Sequence, residues 1–212
     1  MTGVQTCALP ISYNILNVCK QYLVPKDGTP LQCLIQDHVI AGVKMTIRGR
    51  FFSKSQYQQH VFSALVDFRG RIKMLPPAIL KPQQLWSGKQ IISTVVLNLV
   101  PEGKPPPTLI STAKVKSNEW ERTRPRSWKC GGYPNLPPAN ESEFSNMSES
   151  EVIFRNGEFL AGVLDKNQFG ATQYSLTHAF FELYGGYYSG KLLSAFSKMF
   201  TNFLHTEGFT LG

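Results

Sequence analysis

The sequence predicts an α+β fold, in which helices combine with a β-hairpin and short strands. Three stretches point to it. Lys81-Pro-Gln-Gln-Leu-Trp-Ser-Gly-Lys-Gln90 reads as an extended entry into a capped helix, with the apolar run from Ile91 to Leu97 behind it. Val152-Ile-Phe-Arg-Asn-Gly-Glu-Phe-Leu160 is two strand-like runs about Asn156-Gly157, a pair that tolerates the positive φ of a tight hairpin turn. From Gly190 to His205, Leu192, Leu193, Phe196, Met199, Phe200 and Phe203 fall on one helical face, and Gly208 suits the C-terminal cap.

Composition bounds the remaining classes. The chain has 212 residues, 42% of them hydrophobic and 17% charged, which are globular values. A formal charge of +8 favours an acidic partner, nucleic acid first. Cys7, Cys19, Cys33 and Cys130 contain no C-x-x-C pair, so neither a zinc site nor a disulfide framework is supported. No apolar run reaches the roughly 18 residues of a membrane span, and no membrane partner is expected.

Taken in order, residues 1–11 carry neither charge nor a clear period. They are identical to one reading frame of a widely used sequencing-adapter oligonucleotide, with Ser12 at the junction. Residues 1–12 are therefore expected to lie outside the folded unit, with the natural chain beginning near Tyr13. A helical pattern from Tyr13 to Tyr22 places Ile15, Leu16 and Cys19 together, and Pro25-Lys-Asp-Gly28 is a turn. Leu31 to Met45 is mostly apolar but interrupted by Gln36-Asp37-His38. Ser53 or Ser55 caps a helix to about Leu65, with Tyr57, Val61, Phe62 and Leu65 as its stripe. Phe68-Arg-Gly-Arg-Ile-Lys73 is a basic turn into an extended stretch. In the next helix Ser87 and Gln90 form a capping box, and Pro101 ends it. Residues 101–150 read as a solvated insertion, first basic and proline-rich with Trp120 and Trp128, then polar. A loop follows Lys166, then a helix from Tyr174 to Tyr184, broken by Gly185-Gly186.

The chemistry is sparse. Asp27, Asp37, Asp67 and Asp165 are the only aspartates, and none lies within two residues of another, so no D-x-D cluster holds magnesium. No G-x-S-x-G, H-E-x-x-H or Walker loop occurs. His38, His60, His178 and His205 lack metal-ligand spacing. One anion site suggests itself: the start of the capped helix, where free amides, Gly88 and Lys89 can meet a phosphate. The plainer reading, a well-capped helix with Lys89 as surface decoration, stands beside it. A basic nucleic-acid-binding module centred on 104–133 is a further alternative.

Five ordered motifs carry a resemblance: Leu31-Gln-Cys-Leu-Ile-Gln-Asp-His38, Ile79-Leu-Lys-Pro82, Leu85-Trp-Ser-Gly-Lys-Gln90, Gly162-Val-Leu-Asp-Lys166 and Gly208-Phe-Thr-Leu-Gly212. In that order they resemble the largest subunit of eukaryotic DNA-directed RNA polymerases, in its pore domain. His38 after Gln36-Asp37, the Pro25–Gly28 turn and the length of the 101–150 insertion look most like the polymerase I branch, with polymerases III and II as alternatives. The resemblance implies that 13–100 holds the end of the active-site region and the first half of the pore domain. By the same resemblance, 151–212 holds the second half, leading to the funnel. It implies a nucleotidyltransferase whose magnesium is bound by aspartates outside this chain, so no catalytic residue is expected here. Implied partners are the other polymerase subunits, above all the second-largest, with template DNA, the RNA 3′ end and nucleoside triphosphates; the implied compartment is the nucleus and nucleolus. Lys81, Lys89 and Gln90 are then candidates to meet RNA or nucleotide phosphate, and Gln36 and Asp37 to brace the active-site floor.

Overall fold

The longest helix gathers the others around one aromatic face. The computed structural model describes residues 2–116 and 149–210. Its elements are α1 (Thr2–Asn14), α2 (Asp37–Thr46), β1 (Phe51–Ser53), α3 (Lys54–Ala64), β2 (Leu85–Ser87) and α4 (Gly88–Leu99). They continue with β3 (Leu109–Thr112), β4 (Glu151–Arg155), β5 (Glu158–Ala161), α5 (Lys166–Phe169), α6 (Leu176–Tyr184) and α7 (Gly186–Glu207). Helix α7 buries Leu192, Leu193, Phe196, Met199, Phe200 and Phe203, and α2, α3 and α6 all pack on it. The rings of Phe196 and Phe200 stack at 5.7 Å, and Phe169 meets both edge-on at 5.4 and 5.3 Å. Gly208 caps the helix at φ 65, as its lack of a Cβ allows.

Strands β1 and β2 pair antiparallel, with Phe52 opposite Trp86, and each runs directly into a capped helix. Strands β3, β4 and β5 form an antiparallel sheet in that order. Asn156 (φ 50) and Gly157 (φ 80) make the expected hairpin turn, and Phe154 stacks on Phe159 at 4.7 Å across it. Helix α4 packs on β5 and α3, which explains why it is buried almost all round. Among the described residues no helix is long and apolar enough to cross a membrane.

Four expectations change. The helix expected over 13–22 stops at Asn14, because the Asn17 side chain accepts the Cys19 amide at 2.9 Å and turns the chain locally. Residues 8–18, which include the outer turns of α1, are all exposed. Phe62 is not part of the α3 stripe; it is 68% exposed, and His60 takes the inward position at 3%. A short helix, α5, replaces the loop after Lys166, since the Asp165 side chain accepts the Asn167 amide. Part of 101–150 is ordered within the fold rather than solvated: β3 pairs with β4, and Lys104 donates to the Leu183 carbonyl. The tryptophan-bearing remainder, from 117 to 148, lies outside the described residues.

His60 illustrates how tightly the α3–α7 contact is closed. Its ring lies 5.5 Å from Phe52 and 5.8 Å from Phe203, with Nδ1 3.2 Å from the Asn202 amide nitrogen. Burial holds its pKa below the ordinary 6.5, Arg50 adds to that, and Glu207 opposes it. The unfolded chain binds a proton near pH 6.5 that the folded chain refuses. Its contribution is therefore fully present above that pH and is lost as pH falls towards the folded value. Urea midpoints measured from pH 8 down to pH 5 should fall more steeply for the native chain than for His60→Asn.

Candidate functional site

The capped helix expected from Lys81 to Gln90 forms, and its cap is reciprocal. Ser87 Oγ accepts the Gln90 amide at 3.3 Å, and Gln90 Oε1 accepts the Ser87 amide at 3.0 Å. Gly88 is where α4 meets α2. A Cβ there would lie 1.8 Å from the Met45 carbonyl oxygen, so only glycine allows this seating. The close approach that the glycine permits is thus made by another part of the chain's own backbone.

From that start α4 sends out two polar stripes at four-residue spacing. Gln90, Thr94 and Asn98 face the extended stretch 73–76. Asn98 accepts the Lys73 amide at 2.8 Å and donates to the Lys73 carbonyl at 2.9 Å. Thr94 meets the Tyr57 hydroxyl at 2.7 Å, which accepts the Leu75 amide at 3.1 Å. Gln90 Nε2 donates to the Pro76 carbonyl at 2.9 Å. Trp86 is 5% exposed, stacks on Tyr57 at 5.1 Å and donates its indole N–H to the Leu75 carbonyl at 2.9 Å. It is a packing anchor.

The second stripe, Lys89 and Ser93, faces the three-stranded sheet. Ser93 Oγ accepts the Phe159 amide at 2.8 Å. Lys89 Nζ donates to Glu149 at 3.0 and 3.3 Å, and Arg48 Nε reaches the same carboxylate at 3.1 Å. The Lys89 and Glu149 side chains are 15% and 8% exposed. Burial pushes the Lys89 ammonium below its ordinary range, while the Glu149 charge works in the other direction. Sequence reasoning missed Glu149, which is separated from Lys89 by 60 positions and carried no motif.

The five candidate residues are thus not one cluster. Lys89 and Gln90 share the start of α4 and have partners within the chain. Lys81 is exposed in the loop before β2, at a cis Lys81–Pro82 bond. Gln36 (φ 50) and Asp37 are exposed at the start of α2, lining a groove with His38, Thr201 and His205. His38 Nε2 lies 3.2 Å from Ser197 Oγ and so ties that end of α2 to α7. The groove and the Gly88 contact are separated by eight positions, from Asp37 to Met45, roughly 12 Å of helix.

Magnesium, which the resemblance implies, meets no suitable donor set here. Among the described residues no three His, Cys, Asp or Glu side chains gather to hold a metal. Asp27 is bonded to Thr29, Asp67 pairs with Lys198, and Asp165 accepts amides of Asn167 and Lys114.

Comparison with known proteins bears on this geometry. The family description RNA polymerase Rpb1, domain 3, matches residues 21–212. The DNA-directed RNA polymerase I subunit RPA1 of Drosophila melanogaster is 56% identical over 201 residues, covering 95% of this chain and 12% of that protein. The RNA polymerase I subunit RPA190 of Saccharomyces cerevisiae is 39% identical over 204 residues, covering 94% and 11%. The RNA polymerase III subunit RPC1 of the same yeast is 26% identical over 202 residues, covering 94% and 12%. The chain therefore spans 11% to 12% of the length of these three relatives.

Two substitutions test the seating of α4. Gly88→Ala forces the helix start away from Met45 and should cost more than about 3 kcal/mol by chemical denaturation. Lys89→Ala removes one of the two cations that meet the buried Glu149 carboxylate among the described residues, at a cost of about 2 kcal/mol. A surface lysine would cost under about 0.5 kcal/mol, so the same urea titration separates the two.

Proposed function

The chain belongs to the RNA polymerase Rpb1, domain 3, family, and on that premise we propose that it forms part of the catalytic largest subunit of DNA-directed RNA polymerase I. The observation that carries this reading is the family match over residues 21–212. The identity gradient supports the branch: 56% and 39% with two polymerase I subunits, against 26% with a polymerase III subunit over a similar length. In this reading the segment walls the nucleotide-entry pore near the RNA 3′ end of a nucleotidyltransferase. Its partners are the second-largest subunit, template DNA, RNA and nucleoside triphosphates, and its compartment is the nucleus and nucleolus. Magnesium belongs to the parent enzyme, held by residues other than those described, and no catalytic step runs through this chain.

The supporting residues take distinct roles. Lys81 is exposed and meets the phosphate of RNA or of an incoming nucleotide. Lys89 and Gln90 lie at the helix start, where the Lys89 charge is shared with Glu149 and the Gln90 amide fixes Pro76. Gln36 and Asp37 brace the active-site floor from the start of α2. A strained, positive φ at Gln36 fits a position held by its surroundings.

The test uses polymerase purified through a tag on the full-length subunit. Lys81→Ala should change elongation rate or cleavage after backtracking by about threefold, the scale of one exposed charge contact. Unchanged kinetics in both assays removes the phosphate contact. A tagged subunit that brings down no other polymerase subunit overturns the assignment itself.

A further inference from the structure

Along Phe68-Arg-Gly-Arg-Ile-Lys73 the side chains alternate between core and solvent. Phe68 and Ile72 pack against the core, while Arg69, Arg71 and Lys73 are exposed. The stretch that follows is held by side chains standing in for a neighbouring strand. Asn98 closes both backbone groups of Lys73, and Tyr57 and Trp86 close both of Leu75. Two residues that alternate and turn N–H and C=O to the same side mark extended backbone. Extended geometry sets Arg71 and Lys73 roughly 6.6 Å apart, and Arg69 precedes them across the bend at Gly70. That spacing is close to the separation of successive phosphates along a single nucleic-acid strand.

The charge along the stretch that carries this row is one-sided, and Asp67, just before it, pairs with Lys198. Residues 68–101 contain five basic residues, Arg69, Arg71, Lys73, Lys81 and Lys89, and no Asp or Glu. Lys89 is met by Glu149. Among the described residues, no ion pair engages Arg69, Arg71 or Lys73.

We propose that Arg69, Arg71 and Lys73 form a row that tracks the phosphodiester backbone of a single-stranded nucleic acid. A protein partner needs apolar anchors at a desolvated centre. Exposed Val66 and Met74 flank the row, but between them stand three cations that enter no ion pair among the described residues, and a phosphate backbone requires no apolar anchor. The fixed strap lowers the ordering cost of binding, because the backbone carrying the row is set before the strand arrives. The row recognises phosphate in either RNA or displaced DNA. It rests on the polymerase reading only for the source of that strand.

The experiment uses the assembled polymerase, engaged on a transcription bubble with RNA, template strand or non-template strand labelled in turn. A photocrosslinking amino acid at Arg71 should transfer label to one of the three strands, which identifies the source. Crosslinks to protein alone, or none, overturn the proposal. Separately, the triple variant Arg69→Gln, Arg71→Gln, Lys73→Gln should flatten the slope of log affinity against log salt by about 2, at roughly 0.7 for each phosphate no longer neutralised. An unchanged slope overturns the row as well. Recovery of the variant subunit with the other polymerase subunits is checked first, so that the slope is read on assembled enzyme. A wild-type tagged subunit that brings down no polymerase would instead overturn the underlying assignment.

Discussion

The contact between Gly88 and the Met45 carbonyl sets the geometry on which the rest depends. It is backbone against backbone, with no room for a Cβ. Seating α4 at that distance fixes its rotation, and rotation decides which side chains face which neighbour. Gln90, Thr94 and Asn98 then point at the strap, and Lys89 and Ser93 at the sheet. A helix turned by one residue would aim both polar stripes into apolar surroundings and leave their hydrogen bonds unmade.

The same construction occurs twice in this part of the chain. Strand β1 ends at Ser53 and strand β2 at Ser87, each serine caps the following helix, and each box is closed by a glutamine three residues on. Because β1 and β2 pair with Ser53 opposite Leu85 and Phe51 opposite Ser87, the two helices leave from opposite ends of one ribbon. Tyr57 of α3 and Trp86 of β2 stack between them, and both turn a polar atom outward to hold Leu75. A buried aromatic pair thus supports an exposed strap that has no strand beside it.

The basic charge divides according to this architecture. Arg50 lies over Phe52 and Phe203 and pairs with Glu207, Lys198 pairs with Asp67, and Lys89 pairs with Glu149. Those cations are matched within the fold. Among the described residues, Arg69, Arg71, Lys73 and Lys81 on the strap and its loop are exposed and enter no ion pair, as is true of cations elsewhere such as Lys20, Lys26 and Lys54. A formal charge of +8 says that an acidic partner fits; the fold says where the unmatched cations lie.

The sequence by itself determined what is local. Capping at Ser87–Gln90, the Asn156-Gly157 turn, the aromatic face of α7 and its Gly208 cap each depend on residues a few positions apart, where backbone preference decides. The five ordered motifs, also read in sequence, indicated the family that the match over residues 21–212 bears out. What escaped was set by distance along the chain. Glu149 meets Lys89 across 60 positions, and β3 joins β4 across the segment from 113 to 150, so neither left a periodic trace. His60 rather than Phe62 faces the core because positions 57, 60, 61 and 64 share one helical face while 62 points away, so the period was legible there and the polar identity of the histidine masked it. Even the glycine at the helix start was legible only as a close approach. The tertiary structure decided that what approaches is the Met45 carbonyl, because packing α2 on α4 brings that backbone within reach.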